Sequence, residues 1–99
     1  GAIGGTSDIR MKKNINTIEN PIDIIKRLRG VNFEWNCEGK PTGVQIGYIA
    51  QEVKEVLPYA VFTDGDGYLT MNDRPILAHM HKAILELEKR LKVIELTLS

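Results

Sequence analysis

The chain has 99 residues, of which 42% are hydrophobic, and its 13 basic side chains balance 13 acidic ones. This length predicts one small domain that buries a modest share of its surface, so that oligomerisation would add stability. The charge balance argues against a basic nucleic-acid interface, and the apolar runs are too short for a membrane span or a secretory signal peptide.

The chain opens with a glycine-rich stretch, residues 1–6, which we interpret as a linker or the end of a preceding domain. Such a stretch is expected to be extended and accessible. Residues 8–18 alternate only partly between apolar and polar side chains, which predicts a short strand or an extended arm.

Ser7 and Lys12 place a hydroxyl and an amine five positions apart, directly after this stretch. A lysine can remove the proton of a serine hydroxyl when burial or a nearby cation lowers a lysine pKa from about 10.4 towards neutrality. Positions five apart point to opposite faces of a strand and lie about 140° apart around a helix. The two side chains can therefore meet only across a bend or between chains. The alternative is a solvated serine beside a surface lysine.

A helix and a hairpin are predicted next. Asn20 and Pro21 have the residue types of a helix cap and a first helical turn, and Gly30 has that of a helix end. Residues 31–49 contain two alternating segments around a loop, which predicts a hairpin. Trp35 lies on the apolar face of the first segment and is expected in the core.

A second helix is predicted over residues 50–56, and a second hairpin over residues 60–71. The Asp-Gly-Asp-Gly stretch at residues 64–67 predicts the hairpin turn, since it lacks the glutamate of a calcium-binding loop. Gln51 and Glu52 follow an apolar segment, and two interpretations stay open for them. They are solvated side chains at a helix start, or polar groups that support the serine–lysine pair.

The last element is a long helix that begins at Pro75. Apolar residues recur along it in steps of three and four, which defines a heptad seam. The seam residues are Leu77, Met80, Ile84, Leu87, Leu91, Ile94 and Leu98. The regular seam predicts self-association but does not choose between two, three and four strands. Leu85, Val93 and Leu96 lie off the seam, which predicts that the helix also packs on the globular part.

Three further side chains carry groups that take part in chemistry in other proteins. Cys37 is the single cysteine, so an internal disulfide is excluded and a reducing compartment is indicated. No histidine lies near it in sequence, which favours a structural or loop thiol over a nucleophile. His79 and His81 lack the four-residue spacing of a two-histidine metal site, so capping, surface or packing roles are predicted for them. We expect no metal and no cofactor.

Two sequence stretches and the heptad helix together resemble a known family. The stretches are SDIRMKKNI at residues 7–15 and IGYIAQEV at residues 46–53, the second running on to Leu57 and Pro58. From Ser7 onward, the chain resembles the self-cleaving intramolecular chaperone domain at the C-terminus of phage endosialidases, tailspikes, tail fibres and neck appendages.

The resemblance implies a role, a partner and a place. The domain would form a homotrimer, assist the folding of an upstream β-structured domain of the same polypeptide, and then cut itself off. It would act in the host cytoplasm during virion assembly and be released from the mature virion protein. Ser7 and Lys12 would be the catalytic dyad of this single-turnover serine peptidase, and the cut would fall between Ser7 and Asp8. No nucleic acid or membrane is expected as a partner.

The predicted fold class is α+β, with short helices and β-hairpins. The long C-terminal helix is expected to form a coiled coil or a helical bundle, which the resemblance makes trimeric. We divide the chain into the end of an upstream domain or a linker (residues 1–6), a globular chaperone and autoprotease region (residues 7–75) and an oligomerisation helix (residues 76–99).

The position of the cut and the class of function stay open at this stage. Attack by Ser7 on the Thr6 carbonyl closes a five-membered ring and cuts before Ser7, whereas attack on its own carbonyl closes a strained four-membered ring. A cut after Ser7 is easier when the serine of another copy attacks, or when water does. The alternative functions are a passive trimerisation or attachment module without catalysis, and the homologous self-cleaving domain of a membrane-bound transcription factor.

Overall fold

The computed structural model describes residues 5–99 and has the predicted α+β fold, so the first four residues of the expected linker lie outside the described part. The helices are α1 (Pro21–Lys26), α2 (Ala50–Val56) and α3 (Arg74–Leu98). The strands are β1 (Val31–Phe33), β2 (Gln45–Gly47), β3 (Val61–Thr63) and β4 (Leu69–Met71). Short 3-10 turns span Ile9–Met11 and Pro58–Ala60.

The strands of the described chain form two separate two-stranded antiparallel sheets, which confirms both predicted hairpins. In the first, Asn32 lies opposite Ile46, and in the second, Phe62 lies opposite Thr70. The carboxylate of Asp64 closes the second hairpin by accepting hydrogen bonds from the backbone N–H groups of Asp66 and Tyr68, at 2.9 and 3.0 Å. The Asp-Gly-Asp-Gly stretch is therefore a turn, as its composition predicts.

Helix α1 starts at Pro21 as predicted but is shorter than the sequence indicates. Asn20 precedes it in a left-handed conformation with φ 53° and makes no side-chain cap hydrogen bond. The helix ends at Lys26, well before Gly30, because the backbone N–H groups of Arg27 and Leu28 close tighter turns with the carbonyls of residues 24 and 25. Capping by Asn20 and termination at Gly30 were therefore wrong expectations.

The core is small and lies where α1, α2, the second hairpin and the start of α3 meet. Its buried apolar residues are Val53, Leu57, Ala60 and Ile76. Half-buried side chains surround them, namely Ile24, Leu28, Tyr48, Val56, Val61, Met71 and Met80. Helix α2 ends at this core because Pro58 disfavours a helical conformation at Leu57, which adopts φ −132° and ψ 74°. At about 1.5–3 kcal/mol for each fully buried large apolar side chain, a core of this size stabilises one chain modestly.

Helix α3 is anchored at its beginning and projects at its end. Ile76, His79 and Ala83 are buried, whereas every residue from 84 to 99 except Glu86 is exposed. The Cα radius of gyration is 17.5 Å, compared with about 13 Å for a compact chain of this length. The projecting part of α3 accounts for this elongated shape.

Two groups of apolar side chains lie outside the core, contrary to expectation. Leu85, Val93 and Leu96 are 51%, 59% and 73% exposed, so the off-seam residues do not pack on the globular part. Trp35 is 44% exposed. Its ring and that of Phe33 are nearly perpendicular, and the ammonium group of Lys40 lies 4.9 Å from the centroid of the Trp35 ring. The periodicity of a strand or helix identifies a face, but it does not say whether other elements cover that face.

Candidate active site

A 3-10 turn brings Ser7 and Lys12 together. The backbone N–H groups of Met11 and Lys12 donate to the carbonyls of Asp8 and Ile9, at 3.0 and 3.1 Å. A bend therefore replaces the start of the short strand or extended arm expected over residues 8–18, because these carbonyls accept hydrogen bonds within the turn. Nζ of Lys12 donates a hydrogen bond of 2.5 Å to Oγ of Ser7. Of the two routes by which the pair could meet, the structure contains the bend within one chain.

The serine–lysine pair lies on the surface of the single chain. Ser7 and Lys12 are both exposed, and none of residues 9–11 is buried. A side-chain methyl group added at Gly5 would lie 3.7 Å from Nη1 of Arg74, so this arm runs beside the first residue of α3. Chemically, the arrangement holds a hydroxyl oxygen and an amine nitrogen at proton-transfer distance. In this hydrogen bond the lysine donates, whereas a general base would have to accept the serine proton.

Asp8, expected from the sequence only as a residue at the cut, has a second role in the same turn. One oxygen of its carboxylate accepts from the backbone N–H of Arg10 at 2.8 Å and caps the turn. The guanidinium group of Arg10 forks onto both carboxylate oxygens, with Nη2 2.8 Å from Oδ2 and Nε 3.1 Å from Oδ1. The bonds from the guanidinium group, and after them the bond from the backbone N–H, lower the pKa of Asp8. The bonds between the two side chains raise the pKa of Arg10.

The sequence signal for this contact was present but was not used. An aspartate followed two positions later by a donor is the pattern of a side-chain cap on a tight turn. Sequence reasoning assigned Asp8 to the scissile bond and gave Arg10 no role.

Glu52, one of the two polar residues with an open interpretation, pairs with a side chain from another element. Arg29 makes a two-pronged contact with it, with Nε 3.1 Å from Oε1 and Nη2 2.6 Å from Oε2. The hydrogen bonds lower the pKa of Glu52 and raise that of Arg29. Glu52 therefore connects α2 to the segment after α1, and both of its carboxylate oxygens accept hydrogen bonds from Arg29. Gln51 is exposed beside the cleft between the two hairpins. Glu52 and Arg29 are 23 residues apart, so no local sequence pattern indicates that they pair.

The predicted seam forms an exposed apolar stripe on α3. Six of its members are between 52% and 81% exposed, and they are Leu77, Ile84, Leu87, Leu91, Ile94 and Leu98. Met80 differs because it packs against the core of its own chain. The single chain thus leaves most of the seam uncovered, and it diverts one expected seam residue to intramolecular packing.

The two histidines occupy different environments. His79 is buried, and its Nδ1 lies 2.7 Å from the Pro75 carbonyl oxygen, so this nitrogen carries the proton and donates. His81 is exposed. Within residues 5–99, no group of three or more histidine, cysteine, aspartate or glutamate side chains is arranged to hold a metal ion. The helices of that same part of the chain include none with the length and apolar character to cross a bilayer.

The chain is similar to one protein family and to phage tail fibre proteins. A family model described as the chaperone of endosialidase, a peptidase family, matches residues 7–62, which is more than half of the chain and includes both Ser7 and Lys12. Long tail fiber protein Gp37 of Enterobacteria phage K3 is 33% identical over 96 residues, covering 90% of the chain and 8% of that protein. The protein of the same name from Enterobacteria phage T2 is also 33% identical, over 7% of its length.

A third relative comes from a Salmonella phage. Long tail fiber protein Gp37 of Salmonella phage S16 is 34% identical over 106 residues, covering 91% of the chain and 14% of that protein. The chain therefore spans a small part of the length of each of these tail fibre proteins.

Proposed function

Because the chain belongs to the chaperone-of-endosialidase family, we propose that it is an intramolecular chaperone of a phage tail-fibre-type protein. It trimerises, assists the folding of an upstream β-structured domain of the same polypeptide, and then releases itself in a single turnover. The observation that carries the proposal is the hydrogen bond between Lys12 and Ser7, formed at the residue where the family match begins. In this proposal the chain divides into residues 1–6, 7–75 and 76–99, as expected from the sequence.

Assembly comes first in the proposed sequence of events. A seam of large apolar side chains that one chain leaves exposed is stabilised when copies bury it against one another. At about 25 cal/mol per Å² of apolar surface, covering the seam contributes several kcal/mol per chain. The globular body supplies a small core of its own, so association would add substantially to the stability of the whole. The number of strands, three, comes from the proposed family role and not from the seam.

The cleavage chemistry needs Lys12 in its neutral form. Its Nζ then accepts the proton of the Ser7 hydroxyl, and the oxygen forms a bond with a backbone carbonyl carbon. The carbon–nitrogen bond breaks, and the departing amine takes a proton from the lysine ammonium group. Water hydrolyses the resulting ester, which leaves a free carboxylate and restores the serine hydroxyl. One peptide bond is cut and one water molecule is consumed.

Exposure of the pair explains why assembly would precede cutting. Water stabilises the charged form of an exposed lysine, and burial disfavours that form. A neighbouring copy that covers the arm would therefore favour the neutral amine and switch the base on. The same neighbour supplies the attacking serine for a cut between Ser7 and Asp8, and attack from another copy avoids the strained four-membered ring that Ser7 would form with its own carbonyl.

Self-removal also gives the assembled fibre kinetic stability. A chaperone that stays attached would let the trimer unfold along the path by which it folded. Release of the chaperone after assembly removes that path, so the product persists because its unfolding is slow. In this proposal the reaction belongs to virion assembly in the host cytoplasm, and the released domain is absent from the mature virion protein.

The test is to express residues 1–99 behind a reporter domain, as the parent and as Ser7→Ala, Lys12→Ala and Lys13→Ala variants. We expect the parent and Lys13→Ala to release a C-terminal fragment, and both dyad variants to stay whole, since loss of either member abolishes turnover. Mass spectrometry of the fragment locates the cut. A new N-terminus at Asp8 supports the cut after Ser7, and one at Ser7 supports the internal shift.

The rival function is a passive trimerisation or attachment module. Equal clipping of the parent and the two dyad variants, or an intact parent in the assembled state, would contradict the peptidase. The chaperone and assembly roles would then stand without catalysis.

A further inference from the structure

We propose that Arg10 is a positioning residue for self-cleavage, because its fork on Asp8 closes the turn that holds Lys12 against Ser7. This inference rests on the proposed function for its catalytic consequence. The geometric part, in which Arg10 keeps the two side chains together, is independent of catalysis. The contact of Arg10 with Asp8 is called the clamp below.

The clamp is needed because Ser7 and Lys12, five positions apart, do not come into contact in regular secondary structure. Ser7 and Lys12 diverge on a regular strand or helix, so their contact depends on the bend at Ile9–Met11. A 3-10 turn has poorer hydrogen-bond geometry than an α-helix and is used in short pieces. None of its three residues is buried, so apolar packing within this chain does not stabilise the bend.

The hydrogen bonds of the clamp take the place of packing. Within the described chain, the side chain of Asp8 accepts from the backbone N–H of Arg10 and from both Nε and Nη2 of its guanidinium group. A planar guanidinium that meets a carboxylate at two points fixes orientation as well as distance. The clamp therefore spans the first residues of the bend, directly between the serine and the lysine.

Substitution of Arg10 separates this role from other possibilities better than substitution of Asp8. Asp8 borders the proposed scissile bond, so any change there also alters the bond that is cut. Arg10→Gln removes the fork and keeps the backbone cap, and Arg10→Lys keeps the positive charge but cannot form the two-point contact. Lys13→Gln makes the same cation-to-amide change at an exposed arm residue next to the pair.

The rival role for Arg10 is electrostatic. A cation close to Lys12 would itself favour the neutral amine, and then Arg10→Lys would cleave like the parent. An electrostatic role also predicts that the cleavage rate of Arg10→Gln reaches its midpoint at a higher pH than that of the parent. A positioning role predicts that both Arg10 variants cleave about 10- to 100-fold more slowly, with the midpoint at the parental pH, because misplacement lowers the rate at every pH.

The experiment measures single-turnover cleavage against pH for the parent, the two Arg10 variants and Lys13→Gln, each with its assembled mass. In parallel, each sequence also carries Leu91→Asp in the exposed seam, which is expected to keep the chain unassembled and uncut, and NMR measures the nuclear Overhauser effect between the β protons of Ser7 and the ε protons of Lys12. We expect this effect in the parent and Lys13→Gln and its loss in both Arg10 variants, with assembled mass unchanged.

The two readouts keep the proposals apart. An inert parent whose Ser7–Lys12 contact disappears in the Arg10 variants would refute cleavage and support the clamp. An active parent with variants that retain the contact and the rate would refute the clamp and leave the peptidase standing. Rescue by Arg10→Lys, or a shifted midpoint in Arg10→Gln, would replace positioning by the electrostatic role.

Discussion

The two halves of α3 share one heptad pattern but differ in what they contact. In the first half, Ile76, His79 and Ala83 are buried against the body of the chain, and Met80 joins the core. In the second half, Leu87, Leu91, Ile94 and Leu98 are all more than half exposed. A heptad thus marks an apolar face without saying which molecule covers it.

One helix thus packs on the body of its own chain with its first half and leaves an apolar seam exposed along its second half. The buried face of the first half is rotated from the seam by about 70° around the helix, at 3.6 residues per turn. Met80 lies where the two faces overlap, so it belongs to the predicted seam and also lies against the core. Beyond residue 84, the body no longer reaches the helix and the seam is free for other copies. We therefore expect substitutions in the first half to change the stability of the single chain, and those in the second half to change assembly.

The largest effect is expected from Leu91→Asp in the projecting half. If the seam is buried between copies, loss of one leucine removes about 2 kcal/mol per chain and about 6 kcal/mol per trimer, which weakens assembly about ten-thousand-fold. Analytical ultracentrifugation should show a folded monomer, and self-cleavage should cease with assembly. The matched control is Leu96→Asp, which charges an exposed off-seam position.

If Leu91→Asp assembles as well as the parent, the exposed seam of the second half is not the surface that binds other copies. Dissociation of Leu96→Asp as well would instead show that the interface extends beyond the seam to the off-seam side of the helix.

A smaller effect is expected from His79→Ala in the anchored half. The change removes a hydrogen bond worth about 1 kcal/mol together with buried contacts, so the free energy of unfolding should fall by about 1–3 kcal/mol. His81→Ala, two residues along on the exposed side, should change it by less than about 0.5 kcal/mol. Urea denaturation of a monomeric Leu91→Asp background measures both, and equal effects would show that the anchor does not depend on this histidine.

The smallest effect is expected from the exposed ion pair that ties α2 to the segment after α1. Glu52→Gln should lower the thermal midpoint at neutral pH and low salt by about 1–3 °C, and Glu55→Gln on the same helix should change it less. Arg29 lowers the pKa of Glu52, so the contribution is present above the unfolded value of about 4.3 and is lost as pH falls through the lowered folded value.

The gap between the parent and Glu52→Gln should therefore close in acid and narrow in high salt. A gap that persists at pH 2 would show that the glutamate acts through packing and not through its charge.

Much of the fold could be predicted because its signals are local. The boundaries of α2, both hairpins and the long final helix follow from periodicity, turn residues and prolines within a few positions of each element. The conformation of the arm was harder to predict, because its bend depends on hydrogen bonds that the side chain of Asp8 accepts and not on a periodic pattern of apolar residues. The cap predicted at Asn20 is wrong for a related reason, because asparagine is favoured both at helix caps and in the left-handed conformation that Asn20 adopts.

The sequence alone determined the order of the elements, the seam and the presence of a serine and a lysine near the start. These depend on residue type and spacing, which the chain carries in full. Only the tertiary structure decided that Lys12 reaches Ser7, that Glu52 belongs to Arg29, and that the body covers Ile76 and His79 but not Leu85. Such outcomes depend on where separate segments come to lie, and the chemistry of each residue by itself allows several partners.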